Sequence, residues 1–235
     1  MKNIGVIPGR YQPLHLGHRK LFKKAFAENK DGVYVVLIKG VKSGADKSRN
    51  PLDTKTQEQL IHRLVPEINV LEAPIANLPD IVYRILSPDR SLYLGDNQYH
   101  FTFYCGTDRY TPYKIQADRW SRYVPDVIDA LQEEGVHIKS IDIYLELIER
   151  EDGEPLKNKK IKYDSPPDEA EINTYSSSAV RHAIISGDDK LAMRMMGLEE
   201  KDEYLYQKIA RMITKGVMEQ VVNEKIISIL EDING

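Results

Sequence analysis

The chain has 235 residues, 41% of them hydrophobic, enough to bury one sizeable α/β core, alone or with a small appendage. Its 33 Lys and Arg against 36 Asp and Glu leave a net charge of −3, which argues against a protein that coats nucleic acid and makes any phosphate chemistry a local matter. The lone Cys105 excludes an intrachain disulfide and a cysteine-based zinc site, and no apolar run approaches the roughly 20 residues that span a bilayer, so a soluble cytoplasmic protein is expected.

In chain order, Ile4 to Pro8 reads as a strand, and Leu21, Phe22, Ala25 and Phe26 recur at helical spacing between His18 and Glu28. Val33 to Ile38 is continuous and β-branched, as in a strand buried on both faces of a parallel sheet. Helices around Leu60 to Leu64 and Ile81 to Leu86 then alternate with strands at Ile68 to Leu71, Phe101 to Cys105 and Ile141 to Leu147, with a further helix at Val124 to Leu131. Such alternation predicts a Rossmann-like α/β fold, a parallel sheet of about five strands with helices on both faces. Residues 149–171 are charged and turn-rich and read as an excursion, with a hairpin as one form it could take, from a core spanning 1–188. Residues 189–235 carry apolar stripes at helical spacing and predict a small C-terminal helical subdomain, whose apolar surface could join copies into a homo-oligomer.

Two segments carry candidate chemistry. The first, Gly9-Arg10-Tyr11-Gln12-Pro13-Leu14-His15-Leu16-Gly17-His18, lies between the first strand and the first helix. In an open α/β sheet ligands bind outside the carboxyl ends of strands, and two histidines at a helix entrance can face one anion together with backbone N–H groups. The alternative is a surface loop whose glycines only make turns. The second segment, Tyr175-Ser176-Ser177-Ser178-Ala179-Val180-Arg181, also opens a helix, because Ser is a good N-cap. Hydroxyls, unsatisfied N–H groups and a guanidinium that matches phosphate oxygens then converge, whereas the plainer reading is a capped surface helix.

Together the two segments resemble the HxGH and ISSTx(I/V)R motifs of the nucleotidyltransferase superfamily, with Tyr175 at a usually aliphatic position and Ser178 in place of Thr. The longer first segment is most similar to adenylyltransferases of the nicotinamide mononucleotide (NMN) type. The resemblance implies in-line attack of an acceptor phosphate on the α-phosphorus of ATP, with Mg²⁺ bridging phosphate oxygens and no dedicated protein metal ligands. It assigns His15 and His18 to the triphosphate, Gly17 to the space for base and ribose, and Arg10 to the edge of the phosphate site. Ser177, Ser178 and Arg181 would hold the β and γ phosphates, with Gly9, Tyr11 and Ser176 completing the nucleotide site.

Three further matches concern the acceptor. Arg49-Asn50-Pro51-Leu52 resembles the family's xNPF segment, although Gln57 stands where an arginine is usual, and this leaves the acceptor open. Gly106-Thr107-Asp108 is similar to a G-[SA]-D motif or is a plain strand-to-loop turn. Trp120, read as lying in the loop that follows, would stack on a base or pack in the core. The run Lys157 to Lys162 could attract polyphosphate but reads better as a solvated loop. The partners implied are small nucleotides, with no nucleic acid or membrane. Competing readings are a cytidylyltransferase, an adenylyltransferase for another phosphorylated metabolite, or a non-catalytic nucleotide-binding regulator. Class I aminoacyl-tRNA synthetases share the first motif but are generally larger and carry a KMSKS-like loop that this sequence lacks.

Overall fold

Five segments rich in β-branched and aromatic residues form one parallel sheet in the computed structural model, which describes residues 1–40, 46–88, 98–149 and 165–234. The strands are β1 (Lys2–Gly9), β2 (Gly32–Ile38), β3 (Asn69–Ala73), β4 (Gln98–Cys105) and β5 (Ser140–Leu147), in the order β3-β2-β1-β4-β5. The helices are α1 (Arg19–Glu28), α2 (Thr54–Leu64), α3 (Leu78–Leu86), α4 (Thr107–Ala117), α5 (Trp120–Glu133), α6 (Glu169–Ile172), α7 (Ser177–Ile185), α8 (Asp189–Met196) and α9 (Glu203–Asn234). Among the described residues no helix is long and apolar enough to cross a membrane.

The chain divides into two compact units. The first gathers Met1–Gly9, Arg19–Lys39 and the described part of Glu67–Glu151, and so holds the whole sheet with α1, α3, α4 and α5. Its central strand β1 pairs with β2 (Val6 opposite Tyr34) and with β4 (Val6 opposite Phe103). Chain order reverses there, and a parallel sheet of this winding leaves a crevice at the carboxyl ends of the strands flanking the reversal. Those ends lead into Arg10 and Gly106. Val6, Val36, Phe101, Phe103, Ile81 and Leu131 are all fully buried in one continuous core, each apolar side chain contributing about 1.5–3 kcal/mol by leaving water.

The second unit gathers Arg10–His18 with the described parts of Gly40–Pro66 and Asp152–Gly235. Leu60, Ile61, Val180, Met195, Met196, Tyr206, Ile209 and Ile213 make its apolar interior. Gly197 (φ +70°) closes α8 in the left-handed region that glycine enters without strain, so that the Leu198 N–H reaches the Met193 carbonyl at 2.9 Å. Arg63 on α2 donates to Asp202, just before α9, and the two form an ion pair at 2.5 Å.

Several elements depart from the sequence reading. The helix expected from His18 is a 3-10 turn over Leu16–His18 followed by α1. The third strand runs on through Glu72 to Ala73, because pairing with β2 (Ile38 opposite Ala73) extends the ladder whatever the side chain. Helix α4 was not expected, since Pro112 and a mostly polar sequence hide its periodicity. Trp120 lies in no loop but opens α5, its start fixed by an indole N–H donated to the Ile141 carbonyl at 2.8 Å. The lysine run 157–162 and the turns at 152–155 lie outside the described residues, and the end of the 149–171 excursion folds as α6.

Candidate functional site

The segment after β1 does not continue as strand, because Tyr11 sits at φ +48°, an unfavourable conformation for a residue with a Cβ. Its surroundings hold it there. Gln57 on α2, almost wholly buried, donates its side-chain amide to the carbonyls of Arg10 and Tyr11. Gln12 reaches Leu52 with both ends of its amide, accepting from Leu52 N at 2.9 Å and donating to Leu52 O at 3.1 Å, much as a β-ladder partner would. Gln57, at the position where the resemblance to the family leads one to expect an arginine, therefore braces the histidine loop.

This bracing presents the two histidines. His15, 2% exposed, accepts the Gly17 N–H on Nδ1 at 3.1 Å, which places the proton of the neutral ring on Nε2. His18 Nδ1 lies 3.2 Å from the His15 carbonyl and 3.4 Å from the His15 N–H, so that this nitrogen is engaged with backbone in either tautomer and Nε2 is the chemically distinct end. The rings of His15 and His18 lie 4.1 Å apart, and Tyr11 meets His18 edge-on at 5.0 Å. Gly17 leaves little room for a side chain: a methyl group there would lie 2.7 Å from His15 Cε1 and 3.1 Å from the Tyr175 carbonyl oxygen.

The second motif starts α7. Ser176 is its N-cap and accepts the Ala179 N–H on Oγ at 3.1 Å, which leaves the Ser177 and Ser178 amides among the first-turn donors that a helix cannot satisfy internally. The two motifs join directly. Ser177 Oγ donates to the Pro13 carbonyl at 2.8 Å, and Arg181 donates to the Gln12 carbonyl at 2.6 Å and to Ser178 Oγ at 3.2 Å. Burial pushes the Arg181 guanidinium below the ordinary arginine range, Arg49 pushes it further the same way, and Asp46 opposes them. Arg181, partly desolvated, lies near a helix start together with Arg49, which is exposed and paired with Asp46 at 3.5 Å, and a partly desolvated cation at a helix start favours an anion.

His15, His18, Gly17, Ser176, Ser177, Ser178 and Arg181 thus belong to one hydrogen-bonded group within the second unit, and Tyr11 packs beside it. Gly9 ends β1, and Arg10 is exposed with its carbonyl held by Gln57. Asn50 closes a turn on Asp46, its N–H 3.0 Å from the Asp46 carbonyl. Asp108 falls in the first turn of α4, and Trp120 is buried in the sheet unit's core with its N–H occupied, the packing alternative for that residue. The sequence reading missed Gln12 as a clamp, the bracing role of Gln57, and the contact of Tyr175 with Gly17. Gln12 stood inside the quoted motif, but its partner lies 40 residues away and no local pattern reveals it. A groove of about 820 Å³ among α7, α8 and α9, lined in part by Ile184, Arg211 and Met218, contains none of the candidate residues. The described residues hold no group of three or more His, Cys, Asp or Glu that could bind a metal ion.

A doubly wound parallel sheet with a histidine loop leaving its central strand and a serine-capped helix bonded to that loop defines a nucleotidyltransferase-like protein. The chain matches the model of the cytidylyltransferase-like family over residues 6–183, and it belongs to that family. It is similar in structure to the Plasmodium falciparum nicotinic acid mononucleotide adenylyltransferase complexed with NaAD (14% identity, 78% of this chain, 84% of that chain, TM-score 0.40). It is also similar to Thermotoga maritima TmcAL bound with alpha-thio ATP (14% identity, 92% of this chain, 56% of that chain, TM-score 0.43). No curated protein matches its sequence.

Proposed function

We propose that this nucleotidyltransferase transfers AMP from ATP to a phosphorylated acceptor, NMN, forming NAD and releasing pyrophosphate. An oxygen of the acceptor phosphate attacks the α-phosphorus in line, the bond from that phosphorus to the β-bridging oxygen breaks, and the pyrophosphate leaves with the electron pair. Mg²⁺ would enter with the triphosphate as part of the substrate and would neutralise phosphate charge there.

What the protein supplies is position and donors. His15 Nε2–H and His18 Nε2 would face the α-phosphate, with His18 stabilising the charge that builds in the transition state. The amides of Ser177 and Ser178, the α7 N-terminus and Arg181 would hold the β and γ phosphates, with Arg10 at the edge. The observation that carries this reading is the direct bonding of the α7 start to the histidine loop through Ser177–Pro13 and Arg181–Gln12, which makes one donor-rich scaffold of two motifs some 160 residues apart in the chain. On the acceptor side the support is the resemblance of the Asn50-Pro51 stretch to NMN-type enzymes and of Gly106-Thr107-Asp108 to a motif that many relatives place beside the acceptor or ribose; Trp120 is left to packing.

The test is incubation of the chain with ATP, NMN and Mg²⁺, expecting NAD and pyrophosphate in equal amounts. The family match makes CTP the second donor to try. Product from another donor and acceptor pair, but none from ATP and NMN, would sink the acceptor assignment and keep nucleotidyl transfer. Binding of ATP without product from any acceptor would make the chain a nucleotide-binding regulator.

A further inference from the structure

Tyr175 stands between the two motifs. Its backbone carbonyl lies against Gly17, where an added methyl would come within 3.1 Å of it, and the next residue, Ser176, caps α7. Its ring is 2% exposed, and its hydroxyl donates to Glu171 Oε1 at the end of α6. Glu171 is in turn gripped by Arg194 of α8, Nε to Oε1 at 2.6 Å and the second nitrogen to Oε2 at 2.9 Å, while the third Arg194 nitrogen donates to the Ser165 carbonyl. Both side chains of the pair are only about a tenth exposed (10% and 11%).

A buried ion pair is a weak device for stability, because desolvating two charges offsets most of their attraction. It is a strict device for geometry, since a planar guanidinium accepts a carboxylate in one orientation and leaves a fixed site for a third donor. That third donor here is Tyr175. The geometry points to Tyr175, Glu171 and Arg194 as positioning residues that set the serine-capped start of α7 against the histidine loop, an inference that rests on the nucleotidyl-transfer reading for its kinetic consequence only. None of the three belongs to the group of donors assigned to phosphate, and their effect passes through Ser177, Ser178 and Gly17.

The deciding variant is Tyr175→Phe, which removes one hydroxyl and keeps the ring and the backbone. Hydrogen exchange at the bonded amides of Ala179, Val180 and Gly17 should speed by about tenfold, while α8 exchanges as before. With ATP and the acceptor the wild type uses, kcat should fall and KM for ATP should rise, together by about tenfold in kcat/KM, with KM for the acceptor unchanged. Glu171→Gln should act in the same direction, and Arg194→Lys, which keeps the charge, should fall between it and the wild type. If Glu171→Gln does not fold, Tyr175→Phe alone decides. Unchanged exchange at Ala179, Val180 and Gly17, or a KM for the acceptor that rises as much as that for ATP, overturns the proposal. A wild type that turns over no triphosphate sinks the transfer reading instead, and the exchange result still decides whether these residues position the helix.

Discussion

The two units bury different kinds of side chain. Among the described residues seven polar or charged side chains are buried, and six of them (Gln12, His15, Thr56, Gln57, Glu171 and Asp202) belong to the helical unit, against Asn29 alone in the sheet unit. The sheet unit is held by Val, Ile, Leu, Phe and Tyr packed across a parallel ladder, an arrangement that tolerates exchange of one apolar side chain for another of similar volume. The helical unit is held in addition by directional bonds to backbone, each of which fixes an angle as well as a distance. The lesson is a division of labour: the apolar unit makes the fold, and the polar unit fixes the atoms that would meet a nucleotide.

The division can be broken most forcefully from the sheet. Phe101, fully buried in β4 and placed opposite Ile4 of β1 and Ile143 of β5, should cost about 3–5 kcal/mol of stability when changed to Ala. Thermal or urea unfolding measures that loss. The folded fraction of the variant should keep the wild-type kcat; a kcat that falls with the stability would show that the sheet contributes to the chemistry as well as to the frame.

His18→Ala inverts the expectation. The ring is only half-buried, so the melting temperature should stay within a few degrees, while turnover should fall by about 10²–10³-fold, the scale for losing one transition-state donor. Steady-state kinetics beside a melting curve separate the two effects. Unchanged turnover would remove His18 from the chemistry and leave Nε2 without the role assigned to it.

The same contrast decides how much was legible beforehand. The parallel sheet announces itself because a strand buried on both faces must be apolar along its length, as Val33 to Ile38 is. Helix α4 does not, since Pro112 and a polar sequence leave no stripe to read, and its existence depends on its packing against β5 and α3. In the site, His15, His18, Ser177 and Arg181 are visible as residue types at telling positions. Gln57 could be seen only as a departure, because its meaning lies in carbonyls 46 and 47 residues away. Trp120 carried two readings that sequence weighs equally, and only the Ile141 carbonyl at 2.8 Å separates them. Polar contacts between distant segments are specific in space and silent in pattern, so a unit built on them is read last.

The smallest change gives the finest test. Gly17 was expected to leave space for base and ribose, yet the direction its Cβ would take meets protein: His15 Cε1 at 2.7 Å, His15 Nδ1 at 2.8 Å and the Tyr175 carbonyl at 3.1 Å. Gly17→Ala must therefore push the His15 ring, because the Tyr175 carbonyl is backbone and cannot swing aside. Displacing that ring stretches the bond from Gly17 N–H to Nδ1, the contact that keeps the proton on Nε2. The expected outcome is a kcat lower by about tenfold, with little loss of stability, since misplacing a donor by a fraction of an ångström weakens the transition state more than the fold. If Gly17 instead serves only to admit the nucleotide, KM for ATP rises and kcat holds. Kinetics of this one variant thus distinguish a glycine that shapes the ligand's space from one that shapes a histidine.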